Sequence, residues 1–179
     1  MTNTEFFIGI VPPEEISKKI IEFQKKFFYK EVVEPHVTIK TQSGLTEDKL
    51  WVEKIQNYLK EQKTFSVKLG DTQWFRDEVL FLSVQSEDIH KIHYDLIETV
   101  NPSLELRKKY FEDQKYTPHL TLGEIRYGLS KNELASMETE AKQELNNLPE
   151  FEVSFARIYV KLADSAKYNK FLDIPLKII

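Results

Sequence analysis

The sequence predicts a chain of mixed α and β content built as an internal duplication, and three observations carry this. Apolar residues recur at helical spacing in four windows, and alternating, strand-like runs lie between those windows. A short pattern, Pro35-His36-Val37-Thr38-Ile39, returns as Pro118-His119-Leu120-Thr121-Leu122.

Taken in order, Phe6–Val11 is an apolar run short enough for a buried strand. Residues 14–28 place Ile16, Ile20, Phe23 and Phe27 on one stripe, and Pro13 suits the first turn of that helix. The first His-Thr strand follows, then Gly44-Leu45-Thr46. A second helix over 47–62 aligns Leu50, Trp51, Ile55, Tyr58 and Leu59. Phe65, Val67 and Leu69 alternate with Ser66 and Lys68, the period of a half-buried strand over 64–70. A turn at Gln73–Glu78 leads into a strand at Val79–Val84. Residues 87–100 carry the stripe Ile89, Ile92, Leu96, Ile97 and Val100. Residues 103–114 are polar and read either as a short helix or as an ordered loop.

The second His-Thr strand is followed by Gly128-Leu129-Ser130, the counterpart of Gly44-Leu45-Thr46. Ser130 with Glu133 three residues on forms a capping box for a helix over 131–147, whose stripe is Leu134, Met137, Ala141 and Leu145. Phe151, Val153 and Phe155 then alternate as a strand over 151–157. A turn at Asp164–Lys167 precedes a closing strand, Tyr168–Ile178. Lined up, the repeats give half-units near 1–84 and 85–179 within one domain spanning 1–179.

Composition narrows the function classes. The chain has 179 residues, 41% hydrophobic and 30% charged, with a net charge of -4. That charge argues against a broad grip on duplex DNA, though it permits a small basic pocket. There is no cysteine, so disulfides, thiol nucleophiles and cysteine-ligated zinc are excluded. No segment approaches the ~20 apolar residues of a membrane span. The N-terminus lacks the basic start and long apolar run of a secretory signal. The expectation is a soluble, cytoplasmic monomer with no membrane partner.

Residues two apart on a strand share a face, so His36 projects with Thr38 and His119 with Thr121. Val37, Ile39, Leu120 and Leu122 point the other way, towards the core. If the copies are related by a pseudo-two-fold axis, two imidazoles and two hydroxyls surround one volume. Displacement at phosphorus needs a base on the attacking oxygen and an acid on the leaving oxygen. Two histidines, with unperturbed pKa values about 6.5, can supply both at neutral pH. Threonine hydroxyls can donate to the non-bridging oxygens. No metal, cofactor or covalent nucleophile is required.

PHVTIK and PHLTLG, with their histidines 83 residues apart, resemble the paired H-x-T-x motifs of the 2H (two-histidine) phosphoesterase superfamily. That superfamily includes RNA 2′,3′-cyclic phosphodiesterases and 2′-5′ RNA ligase-like proteins. Lys40 after the first motif and Gly123 after the second resemble an uncharacterised Gram-positive bacterial branch. The resemblance implies an α+β, bilobal fold with two antiparallel sheets lining a V-shaped cleft and helices outside. It implies a hydrolase in which His36 and His119 are catalytic and Thr38 and Thr121 bind phosphate. His119 would act as base on water and His36 as acid. The implied substrate is a nucleotide or RNA terminus with a 2′,3′-cyclic phosphate or a 2′-5′ linkage. The alternatives are a non-catalytic nucleotide- or RNA-end-binding protein that keeps the phosphate cradle, or a phosphodiesterase on a small non-RNA cyclic phosphate.

Supporting residues follow from parity and position. Lys40 lies four after His36, so on a regular strand it shares the cleft face and binds phosphate; otherwise it is a solvated strand-end lysine. Gly123 leaves room for substrate or marks a bend. Trp74, Phe75 and Arg76 near a turn, and Tyr116, Tyr127 and Tyr168, could stack a base but more often pack a core. Arg126 has the wrong parity for the cleft unless the strand ends or bulges first. His90 and His93 have metal-ligand spacing on a helix but no apparent third ligand, and no metal site is expected.

Overall fold

In a computed structural model of the chain, residues 3–178 are described. The elements alternate as the periodicities predict. The first repeat is β1 (Glu5–Ile10), α1 (Glu14–Gln24), β2 (Val37–Lys40), α2 (Trp51–Glu61) and β3 (Phe65–Phe75). The second is β4 (Val79–Gln85), α3 (Ile89–Val100), a short α4 (Leu104–Lys109), β5 (His119–Glu124), α5 (Lys131–Glu144), β6 (Phe151–Val153) and β7 (Phe155–Lys161). β8 (Asn169–Pro175) closes the chain.

The strands form two four-stranded sheets, ordered β2-β1-β7-β8 and β5-β4-β3-β6. Every pairing within them is antiparallel. The fold is α+β and duplicated, but each repeat is shared between the sheets. β3 of the first repeat pairs with β4, whereas β7 of the second pairs with β1. The helices cross over too: α3 packs on β2, and α1 packs on β5. A half-unit boundary at residues 84 and 85 is therefore corrected. β4 is the counterpart of β1 and opens the second repeat, so the boundary falls in the turn at 76–78, and neither half of the sequence is a lobe. Sequence lists elements in chain order; it does not show which strand exchanges.

Burial explains the elements. β1 buries its whole apolar run from Phe6 to Ile10, which is why it lacks the alternation of a one-sided strand. Ile16, Ile20 and Phe23 bury the stripe of α1, Ile55 and Leu59 that of α2, and Leu134, Met137 and Ala141 that of α5. These side chains join those of both sheets in one continuous core. The capping box at Ser130 forms as expected, with Glu133 Oε2 2.7 Å from the Ser130 nitrogen. Gly44 and Gly128 both adopt positive φ, 74° and 92°, at matching places after the His-Thr strands.

α2 begins later than its stripe suggests. Asp48 Oδ1 accepts from Thr46 Oγ1 at 2.7 Å and from the Leu50 nitrogen at 3.1 Å, a local turn that competes with helix. Leu50 is consequently 75% exposed rather than buried in the stripe. Among the described residues, no helix is long and apolar enough to cross a membrane.

Candidate active site

β2 and β5 each form one edge of their sheet, and they lie against each other. Their registers with β1 and β4 are superimposable. Thr38 pairs with Gly9 and Val37 with Ile10; Thr121 pairs with Phe81 and Leu120 with Leu82. Val37, Ile39, Leu120 and Leu122 are buried, whereas His36, Thr38, His119 and Thr121 are half-buried on the opposite face. The period-two argument thus holds through the H-x-T triplets in both copies.

It fails one residue later, for one reason in both copies. Each pair of strands has a bulge just past the threonine: Ile8 pairs with Lys40 and Leu80 with Gly123. The extra residue turns the next side chain to the core. Lys40 is therefore corrected from a phosphate ligand on the cleft face to a fully buried residue. Its Nζ donates to Glu112 Oε1 at 2.7 Å, to the Ser43 carbonyl at 2.6 Å and to the Thr41 carbonyl at 3.0 Å. Burial holds its pKa below the ordinary value, and Glu112 opposes that shift. At Gly123 a Cβ would lie 2.7 Å from Met137 Sδ and 3.0 Å from Leu129 Cδ1. Gly123 is required by core packing under α5, not by a substrate.

The bulges leave carbonyls that need donors, and buried polar side chains supply them. His93 Nδ1 lies 2.9 Å from the Ile39 carbonyl, Tyr116 donates its hydroxyl to the Thr38 carbonyl at 2.8 Å, and Gln24 donates to the Leu122 carbonyl at 2.9 Å. Tyr116 also stacks on His93, with ring centroids 3.6 Å apart. His93 and Tyr116 are thus structural, and His90 is exposed with its ring edge-on to Tyr116. Among the described residues, no group of three His, Asp or Glu converges to hold a metal ion.

The imidazoles are oriented alike. His36 Nδ1 is 2.8 Å from the Glu34 carbonyl, and His119 Nδ1 is 2.7 Å from the Thr117 carbonyl. A carbonyl only accepts, so Nδ1 carries the proton and the neutral ring keeps its lone pair on Nε2. In each copy the accepting residue precedes a proline, Pro35 or Pro118. Proline confines that residue to extended backbone and so fixes the carbonyl under the ring.

Aromatic rings enclose both histidines. His36 lies 4.8 Å from Phe7 and 5.5 Å from Tyr159; His119 lies 4.8 Å from Phe75 and 5.3 Å from Phe81. Tyr159 faces Phe7 across the β1–β7 pair as Phe75 faces Val79 across β3–β4. Of the aromatic candidates near the predicted turn, Phe75 reaches the site, while Trp74 packs on the core and Arg76 is exposed. Tyr127 packs on Phe28, and burial pushes its phenol up to about 12. Tyr168 lies edge-on to Phe7 at 4.9 Å and donates to Glu5 Oε2 at 2.6 Å. Arg126 is exposed beyond the bulge and the end of β5, with Glu124 at 3.0 Å.

No periodicity or motif marks the network beneath His36. Glu34 Oε1 accepts from Tyr159 Oη at 2.8 Å and from Arg157 Nη1 at 2.6 Å, while Arg157 Nε and Nη2 bind Asp173 at 2.7 and 2.9 Å. Arg157 is thereby held by two carboxylates and steadies the backbone that orients His36. A pocket of about 200 Å³ opens beside this network, lined in part by Glu34, Tyr159 and Tyr168. A second pocket, of about 220 Å³, lies against α5, and neither pocket is lined by His36 or His119. The only signal for Glu34 was its place before Pro35.

The electrostatics of the two rings differ. Burial, and to a lesser degree the charge of His119, lowers the pKa of His36 to about 4 against the opposing pull of Glu34, so the rings are within electrostatic reach of each other. Burial also lowers His119, but the Thr117 carbonyl and the charge of Glu124 oppose that shift. Unfolded, His36 binds its proton near 6.5; folded, near 4. The unfolded chain binds more protons between those values, so stability is fullest above pH 6.5 and falls as pH drops towards 4. Urea unfolding at the two ends of this window should show a loss on the order of 1–3 kcal/mol, and a smaller one in His36→Asn.

A duplicated α+β fold that sets two His-Thr strands against each other is the architecture expected of the 2H phosphoesterase class. A family model described as the 2′-5′ RNA ligase superfamily matches residues 12–160, and the chain belongs to that superfamily. Among solved structures it is similar to TT0787 of Thermus thermophilus, at 16% identity over 96% of this chain and 97% of that one, with a TM-score of 0.68. It is similar to E. coli LigT complexed with phosphate, at 18% identity over 99% of both chains and a TM-score of 0.60. The same protein complexed with 3′-AMP matches at 19% identity over 97% of this chain and 98% of that one, with a TM-score of 0.60. At these identities the likeness shows the fold. No curated protein matches the sequence.

Proposed function

We propose that the chain is a metal-independent phosphoesterase that opens a 2′,3′-cyclic phosphate at a nucleotide or RNA terminus. The observation that carries this reading is the pair of Nε2 atoms, each held free by an Nδ1–carbonyl contact, on two strands that face each other. One Nε2 takes the proton of an attacking water as its oxygen bonds to phosphorus. The P–O3′ bond breaks, and the other imidazolium gives its proton to O3′. The products are a 2′-phosphate and a free 3′-hydroxyl. Thr38 and Thr121 donate to the non-bridging oxygens and hold charge where it grows. The complexes of LigT with phosphate and 3′-AMP support a phosphate site in this fold.

The electrostatics support the opposite role assignment from the one the resemblance implies. His36, enclosed by Phe7 and Tyr159, is held neutral and suits the base; His119, nearer the charge of Glu124, suits the acid. With both rings depressed, kcat/KM on a 2′,3′-cyclic nucleotide should follow a bell with both limbs below 6.5, the unperturbed imidazole value. A chelator should leave the rate unchanged. An optimum above pH 7.5, or loss of activity on chelation with recovery on adding metal, would overturn the reading.

A further inference from the structure

The repeats differ most where the second helix-to-strand connection carries α4; the first crosses residues 25–36 without a helix. α4 ends in a turn in which the Glu112 nitrogen donates to the Arg107 carbonyl at 3.0 Å and the Phe111 nitrogen to the Lys108 carbonyl at 3.3 Å. That motif places Phe111 at φ 55°, in the left-handed region where glycine is usual. Burial does not compensate the misfit, because Phe111 is 62% exposed. A strained backbone that holds an aromatic ring out into water is a reason to look for a ligand.

The surroundings say which kind. Lys108, Lys109 and Lys115 are exposed, and among the described residues no carboxylate pairs with them. Lys115 Nζ stands 5.9 Å from the Phe111 ring and Lys109 Nζ 5.4 Å from the Tyr110 ring. Glu112, in contrast, is buried and neutralised by Lys40. A chain of net charge -4 therefore presents a local run of cations and rings here.

The run is fixed to the active strands. Glu112 ties it to the end of β2 through Lys40 and Thr41, and Tyr116 ties it to the Thr38 carbonyl, three residues before His119. Tyr110 is close enough to Tyr168 to act on it electrostatically. Tyr168 touches Phe7, and Phe7 touches His36. The ring contacts from His36 through Phe7 to Tyr168 thus lead from the cleft towards the α4 turn, where Tyr110 is within electrostatic reach of Tyr168.

The geometry points to α4 and the turn after it as a platform for single-stranded RNA upstream of the reacting terminus, with Phe111 stacking a base and Lys108, Lys109 and Lys115 tracking phosphates. This rests on the reading of the cleft as a site for RNA-terminal phosphate. It predicts that the natural substrate is an oligonucleotide end rather than a mononucleotide.

Binding of a fluorescein-labelled single-stranded oligoadenylate with a 3′-phosphate, followed by anisotropy across a salt series, tests the proposal. The triple variant K108E/K109E/K115E should bind at least tenfold more weakly. Its log–log salt slope should be smaller by about 2, three contacts at about 0.7 each. Phe111→Gly relieves the backbone misfit, so it should raise Tm yet weaken binding by about tenfold. The ratio of kcat/KM on the oligonucleotide 2′,3′-cyclic phosphate to that on the mononucleotide should fall in both variants. Unchanged affinity and slope would overturn the proposal, as would a higher Tm in Phe111→Gly with no loss of binding. Binding of anionic lipid vesicles, but not oligoadenylate, through the same lysines would overturn it too. Mononucleotide turnover tests the cleft separately: turnover with no effect of RNA length sinks the platform alone, and lysine-dependent RNA binding without turnover sinks the proposed reaction alone.

Discussion

His36→Ala and His119→Ala are each expected to lower kcat on a 2′,3′-cyclic nucleotide by about 10²–10⁴-fold, the usual contribution of a positioned acid or base. Both proteins should stay folded. Neither ring is fully buried, and each packs on aromatic neighbours that remain. The two variants should separate on an aryl phosphodiester whose leaving group needs no proton. If His119 is the acid, His119→Ala recovers most of its rate there and His36→Ala does not. Recovery of His36→Ala instead would restore the roles implied by the resemblance. Recovery of neither would mean that both rings act on the attacking side or on phosphate.

Glu112→Gln is expected to have the largest effect on stability. Lys40 and Glu112 are wholly buried, and Glu112 also accepts from Thr41 Oγ1 at 2.5 Å and from Ser43 Oγ. Removing one charge strands the other in the core, which costs about 3–5 kcal/mol. For a chain of this length Tm should fall on the order of 10 °C. The double replacement Lys40→Met with Glu112→Leu removes both charges and should recover much of the loss. If single and double variants melt alike, the packing of the α4 connection rather than the ion pair holds this corner. Calorimetry on the three proteins decides it.

The placement of the two His-Thr pairs was legible because it is local. Two residues apart on a strand is enough to set His36 beside Thr38, and a second copy makes the pattern specific. The doubled Gly-Leu-Thr/Ser marked equivalent turns, and both glycines do take positive φ. Lys40 was misplaced because a single extra residue in β2 reverses parity, and nothing in PHVTIK announces a bulge. The matched position of Gly123 held the missing clue. A lysine and a glycine at one repeat position are hard to reconcile with a shared phosphate contact, and both prove to face the core. Tyr159 and Arg157 could not be read at all, because they reach Glu34 across about 125 residues of chain through a strand that exchanges between sheets, and Asp173 joins only by binding Arg157. Residues 103–114 resolve into a short helix and a turn whose clamp, Glu112, is paired with a lysine 72 positions away.

The central claim is that one phosphate engages both rings at once. Nitrogen NMR of labelled imidazoles, titrated with inorganic phosphate, measures this without turnover. His36 and His119 Nε2 should shift together along one binding curve, and both pKa values should rise in the complex as the anion favours the imidazolium forms. A shift confined to one histidine, or two curves with different midpoints, would contradict the account.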